Sequence, residues 1–478
     1  NNKDKMSLEL SDDFFRVFTA RDAQLRDISR LLDIAKAQFA DVTDRHVLRS
    51  LMSSEVQTLE QNCRCTCMDW STLRVLIKRS EQSNDLSPIL KGLVSDTRFD
   101  GAVILIVDDT SSSSSSSVSK KGAVQQNLDK LPAGIHSNLM VSDSIIHLKS
   151  ARIYRNTLIS KTFIGPDCSI VNCGMISAAS NNDYEFGRIK VSVGAESGGG
   201  RPLHLTSEHT MIDVCRQLRL KPPTSIHTGA TLKINMNVFA NGNLLRDTPT
   251  IENIYLHENA TIEAAASVSQ VTMLPDSFIG NSCTVSNVLM QWNTGITDNS
   301  SVTDALFMER AHCGPSGIVA ESVMGPDVHT SAGEVHASVI GPNTNAHHQS
   351  LVIGVLWPLG RGNVGYGANV GSNHTGRLPD QETGSGEGTF WGLSCVIKFP
   401  VDLTFAPYSV VAAGTTMSAQ RVCMPFSLIV EQPGGNEIIP GWVLQSSPYT
   451  LARSEKKFAT RRKAKRHDFY TGWKIQRQ

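Results

Sequence analysis

Apolar residues recur every six positions over most of this chain. Leu158, Ile164, Ile170 and Ile176 form one run, and Ile226, Leu232, Val238 and Leu244 a second. Leu256, Ile262, Val268 and Leu274 form a third, which continues in shifted phase as Met273, Ile279 and Val285. Ile296, Val302 and Met308 follow, and near the end Val410, Thr416, Val422 and Leu428. A period of six matches neither the 3.6 of an α-helix nor the alternation of a half-buried strand. It matches short strand-plus-corner units wound into a parallel β-helix, with the aliphatic residue inside and three units closing a triangular coil. Coils of that kind stack at the spacing of neighbouring strands, about 4.8 Å. An antiparallel sandwich with Gly-Pro turns is the rival, and the length of the aliphatic run favours the coil.

Gly-Pro recurs at 165–166, 314–315, 325–326 and 341–342. Glycine is expected to supply a corner dihedral and proline to fix the next one. SVMGP, from Ser322, and SVIGP, from Ser338, then read as one corner on consecutive coils.

Other patterns interrupt the period. Apolar steps of three and four from Leu25 through Ile28, Leu32, Ala35 and Phe39, after Thr19 and Asp22, predict an amphipathic helix within a helical region over 1–60. Residues 61–134 read as mixed, with VILIVDD (103–109) a buried strand and the seven serines Ser111–Ser117 a surface linker. The β-helix is expected over 135–450. It carries a helix at 203–223, stopped by Pro222-Pro223, and a Gly/Asn-rich loop over 357–391. Residues 451–478 form a basic extension.

The 478 residues carry 45 basic and 45 acidic side chains, so the molecule as a whole is no general polyanion binder. No apolar run is long enough for a membrane span. Ten cysteines without a CxxC pair read as buried thiols of a reducing compartment, most simply the cytoplasm. The start NNKDKM leaves room for a removed targeting segment.

The runs HHQSLVIGVLWPLGRGNVGYGANVGSNHTGRLPDQE (347–382), KFPVDLTFAPYS (398–409) and PFSLI (425–429) resemble the DUF4954 family, commonly described as related to UDP-N-acetylglucosamine pyrophosphorylase. MDWS (68–71) and VSVGAESGGGRPL (191–203) are similar to its earlier landmarks. The resemblance covers roughly residues 60–450 and implies a left-handed hexapeptide β-helix. A sugar-nucleotide pyrophosphorylase needs a Gly-rich loop followed by basic residues to cradle a triphosphate. Residues 1–130 hold no such loop, which turns the expectation from nucleotidyl to acyl transfer.

Candidate chemistry centres on histidine. Acyltransferases of this fold use a histidine to deprotonate the acceptor, and His347 and His348 are the candidate bases. His329 lies eighteen residues before His347, one full coil, whereas the SVxGP match repeats at sixteen. Either His347 or Asn345 therefore stacks on His329. The segment 360–377 supplies candidate ligand-binding groups in Arg361, Asn363, Asn369, Asn373, His374 and Arg377, with Asp380 and Gln381 following. Glycine admits backbone amides to an anion, and arginine forks onto phosphate or carboxylate. Tight corners alone would also call for Gly and Asn.

Metal is the rival use of His312, His329, His336, His347, His348 and His374, by analogy with the zinc-binding γ-class carbonic anhydrases. None shows a ligand spacing, and Cys63, Cys65 and Cys67 have no second cluster to complete four ligands. The expected function is a transferase-like protein acting on a sugar nucleotide or phosphorylated sugar, with acyl-CoA or a sugar nucleotide as cosubstrate. The alternative is a non-catalytic β-helix scaffold in a larger assembly. Its basic tail, KKFATRRKAKR (456–466), would bind a protein or RNA partner or clamp the chain itself, and homo-oligomers such as trimers suit the fold.

Overall fold

The computed structural model describes residues 46–107, 130–179, 185–194, 200–219, 236–371, 382–397 and 400–463. The chain is mainly β and winds as a parallel β-solenoid, as the six-residue period requires. It divides into two compact units. The expected helix from Leu25, the serine tract, and Ile226 and Leu232 lie outside the described residues.

In the first unit, three columns of side chains fill the coil. Val94, Ile135, Ile153, Ile170, Leu245 and Ile262 pair in parallel register on one side. Val141, Ile159, Ile176, Ile251 and Val268 line the second, and Leu105, Ile146, Ile164, Phe239, Leu256 and Met273 the third. All are essentially inaccessible, and each buried aliphatic chain contributes about 1.5–3 kcal/mol of transfer free energy. Parallel pairing already includes Thr66–Cys67 and Leu73–Lys78, well upstream of the expected start at 135. An antiparallel strand, His46–Ser50, lies against Leu73–Lys78. Val103–Ile106 is the buried strand that VILIVDD predicts. Cys63 and Cys65 are buried free thiols, and burial pushes Cys65 up to about 12, so neither is a ready nucleophile.

The second unit repeats the plan. Ile279, Ile296, Cys313, Thr330, Ala346, Val364, Trp391, Val411 and Ile429 form one inward column. Val285, Val302, Val319, Val335, Val352 and Val370 form another, and Met290, Phe307, Met324, Ile340 and Trp357 the third. The inward positions thus step by six, six and five, which explains the shift of phase after Val268. One coil is 17 residues, not 18, over Ile279, Ile296 and Cys313. Several residues of the sequence period, among them Leu158, Val238, Leu244, Met308, Val410, Thr416 and Leu428, sit one position from the inward column.

The corners differ from the expectation. They are built on non-glycine residues with left-handed backbone: φ is 55° at Asn293, 51° at Asp298 and 49° at Asp304 within one coil. Asn and Asp tolerate this region because their short side chains bond locally. In the Gly-Pro corners the left-handed residue is the third, with φ 56° at Asp167, 54° at Ser316, 58° at Asp327 and 60° at Asn343. Proline then a positive φ is the type II turn signature, and Gly317 and Val328 N–H close those turns onto the carbonyls of Gly314 and Gly325. The glycines are needed for close approach instead: a Cβ on Gly341 would stand 2.4 Å from the Pro358 carbonyl oxygen.

An excursion covers one flank of the second unit. The strands Arg188–Val193 and Arg201–Thr206 form an antiparallel hairpin, followed by the helix Met211–Arg219. Residues 203–206 are therefore strand, not the start of the expected helix; Met211, Val214 and Cys215 are its buried face. The hairpin packs Val191, Leu203 and Leu205 on an outward apolar column, Leu289, Leu306, Val323 and Val339. Strand alternation would leave that column in water, so its apolar character is explained by the cover. The expected loop over 357–391 is coil at its described positions: Asn363–Val364, Asn369–Val370 and Phe390–Trp391 all pair in the ladder. The unit ends in an antiparallel hairpin, Leu428–Gln432 with Gly435–Ile439, and the helices Trp442–Ser446 and Pro448–Lys463.

Candidate functional site

Alternation fixes which side chains leave the coil. On the strands whose inward residues are Ile296, Cys313, Thr330, Ala346 and Val364, the preceding residue points outward. That gives a ladder of Gly295, His312, His329, Asn345 and Asn363, each in register with the next. The rings of His312 and His329 stack, with centroids 5.2 Å apart and planes 19° apart. Gly295 leaves room for this, since a Cβ there would meet His312 Nδ1 at 2.4 Å. Burial lowers the His312 pKa, partly opposed by Asp327, so the neutral ring is favoured.

A second outward column places Ser331 beside His347. The His347 ring meets the His348 ring edge-on, with centroids 4.3 Å apart. Its Nδ1 is buried without a hydrogen-bond partner among the described residues. Burial, then the charges of His348 and Lys457, lower its pKa below the usual histidine value. His348 takes a left-handed corner, φ 62°, with Gln349 next at 59°.

The flanking corner carries Arg310 and Asp327, one coil apart. Arg310 Nε donates to Asp327 Oδ1 at 2.9 Å and Nη2 donates to the same oxygen. Farther along the same corner, Arg361 donates from Nη1 to Glu387 at 3.0 Å and from Nη2 to Glu455 at 2.5 Å. Its charge lies 6.0 Å from the Tyr408 ring centroid.

The expected site residues separate accordingly. His329, Asn363 and His347 share one face, and His348 stands at its edge. His329 stacks on Asn345 and not on His347, because the coil between Thr330 and Ala346 is 16 residues long. Arg361 is committed to internal ion pairs. Asn369 lies on a different side of the coil, in register with Leu351 and Val396. Asn373, His374, Arg377, Asp380 and Gln381 lie outside the described residues. Asn345 was expected only as an alternative neighbour, and His312 only as a metal ligand; the spacing of 17 between His312 and His329, equal to the coil, is the signal for the ladder.

A neutral imidazole with an open acceptor can take a proton from a hydroxyl or amine, and neighbouring carboxamides can bond sugar hydroxyls or an acetamido group. Among the described residues, no group of three His, Cys, Asp or Glu is placed to hold a metal ion, and no helix is long and apolar enough to cross a membrane.

A family model described as "Domain of unknown function (DUF4954)" matches residues 48–471. A curated relative from Treponema pallidum (strain Nichols), described as "Uncharacterized protein", is 31% identical over 134 residues. The match covers 28% of this chain and 18% of that relative, so the chain spans under a fifth of the relative's length there.

Proposed function

The chain belongs to the DUF4954 family, and from that premise we propose that it binds a sugar nucleotide or phosphorylated sugar on the His312–His329–Asn345–Asn363 face and that His347 is the base of a transferase-like step. The single observation behind this is the buried, unpartnered Nδ1 of His347. Acyl transfer is favoured over nucleotidyl transfer. In that step Nδ1 takes the proton from the acceptor hydroxyl or amine as that atom attacks the thioester carbonyl of an acyl-CoA. The carbon–sulfur bond breaks, and the proton passes to the departing thiolate. A pKa below the usual value keeps His347 in its basic form at neutral pH.

The relation to UDP-N-acetylglucosamine pyrophosphorylase makes UDP-N-acetylglucosamine the first ligand to try. The ten free thiols suit a reducing, intracellular compartment. The test pairs calorimetric titration of UDP-N-acetylglucosamine with an acetyl-CoA transfer assay, for wild type and H347Q. Removing a general base should lower turnover about 10²–10⁴-fold with binding little changed. Equal turnover in H347Q would remove the base.

A non-catalytic platform is the second reading. It is favoured by Arg361, the arginine expected to hold ligand, being used instead to fasten the chain's own C-terminal helix. A chain that binds no sugar nucleotide and no acyl-CoA would support it.

A further inference from the structure

Arg361 is a cation with no exposed side-chain surface, and it meets two carboxylates. The two are not equivalent. Glu387 is 12% exposed and also accepts a hydrogen bond from the Tyr408 hydroxyl at 3.1 Å, so it is built into the coil. Glu455 is 59% exposed and comes from the helix Pro448–Lys463. That helix is lightly seated. None of its described side chains is fully buried; Leu451, Ser454 and Lys457 are half-buried, and Tyr449 is 66% exposed. Elements with so little buried apolar surface open at low free-energy cost.

A buried guanidinium strongly resists losing its partners. Whatever displaces Glu455 must therefore bring negative charge of its own. Arginine's fork suits a phosphate oxygen as well as a carboxylate. The same helix carries Lys457, whose charge acts on His347.

We propose that the Glu455 carboxylate is an intramolecular stand-in for a ligand phosphate at Arg361, and that the helix Pro448–Lys463 is a displaceable strap over this subsite. Phosphate binding releases Glu455, lifts the helix and takes Lys457 away from His347. The base and the anion subsite are thereby opened by the same event. The phosphate class rests on the functional reading above; the stand-in role of Glu455 rests on the geometry alone.

The test uses the full chain, with UDP as probe and two readouts: calorimetric affinity, and hydrogen exchange of the amides of residues 448–463. In wild type, UDP should speed exchange in the helix. E455Q should speed it without ligand and tighten UDP about tenfold, since less of the binding-competent state must be recruited. R361K, which keeps the charge but loses the fork, should weaken UDP binding in the E455Q background. The strap is overturned if E455Q changes neither exchange nor affinity. The subsite is overturned if the helix loosens and UDP binds no tighter, or if UDP binds neither protein. Loss of the base reading shows separately, as unchanged turnover in H347Q while E455Q still tightens UDP.

Discussion

His312 and His329 stack ring on ring because the coil between them is 17 residues long. The same geometry places Asn345 and Asn363 next in line. The face is a product of coil length, so changes to the corners should be felt there.

Asn293 holds a left-handed corner, φ 55°. Asn293→Val should cost about 1–2 kcal/mol, because a β-branched residue is strained in that region. Asn293→Gly should be close to neutral. Urea unfolding midpoints of the two variants check this.

Asp327 is 2% exposed and holds Arg310 by two hydrogen bonds. Arg310→Ala should destabilise by about 3 kcal/mol, since it takes the guanidinium from a buried carboxylate. Replacing both, as Arg310→Met with Asp327→Asn, should cost less than Arg310→Ala alone. Thermal unfolding of single and double variants distinguishes the two.

Trp357 is fully buried and its Nε1 donates to the Gly386 carbonyl at 2.7 Å. Trp357→Phe should cost about 1–3 kcal/mol through the unsatisfied carbonyl, besides the space left behind. Denaturant titration reads the change.

Burial lowers the His257 pKa from 6.5 to about 4. The folded state therefore binds fewer protons than the unfolded chain between these values, and stability should fall as pH drops from 6.5 to 4. His257→Gln should flatten that slope. It should not abolish it, because burial also lowers His209, His312 and His347. Unfolding free energy measured across this pH range checks the sign.

The coil was legible in the aliphatic residues because they fill a narrow interior where nothing else fits. Ile164, Ile170 and Ile176 are inward in the structure as the period requires. The phase was not fully legible. Flanking Leu and Val residues such as Val238 and Leu244 are also apolar and buried, so pattern alone does not choose between them and Phe239 and Leu245. Nor was the hairpin over Leu289, Leu306 and Val323, which is a contact between segments about a hundred residues apart. Of the site, histidines 329 and 347 could be found by composition, but their neighbours depend on a corner one residue shorter than expected. Arg361 looked like a ligand group because its partner, Glu455, is ninety-four residues away.

The central claim is that a sugar nucleotide or phosphosugar binds the histidine face of the second unit. Histidine ring Cε1–H resonances, assigned by substitution and followed during titration with UDP-N-acetylglucosamine, test it most directly. The account predicts shifts at His312, His329 and His347, a His347 pKa below 6.5 before ligand is added, and little change at His136, which is held by Ser95 and the Ala133 carbonyl. Unmoved resonances at those three histidines, at saturating ligand, would contradict it.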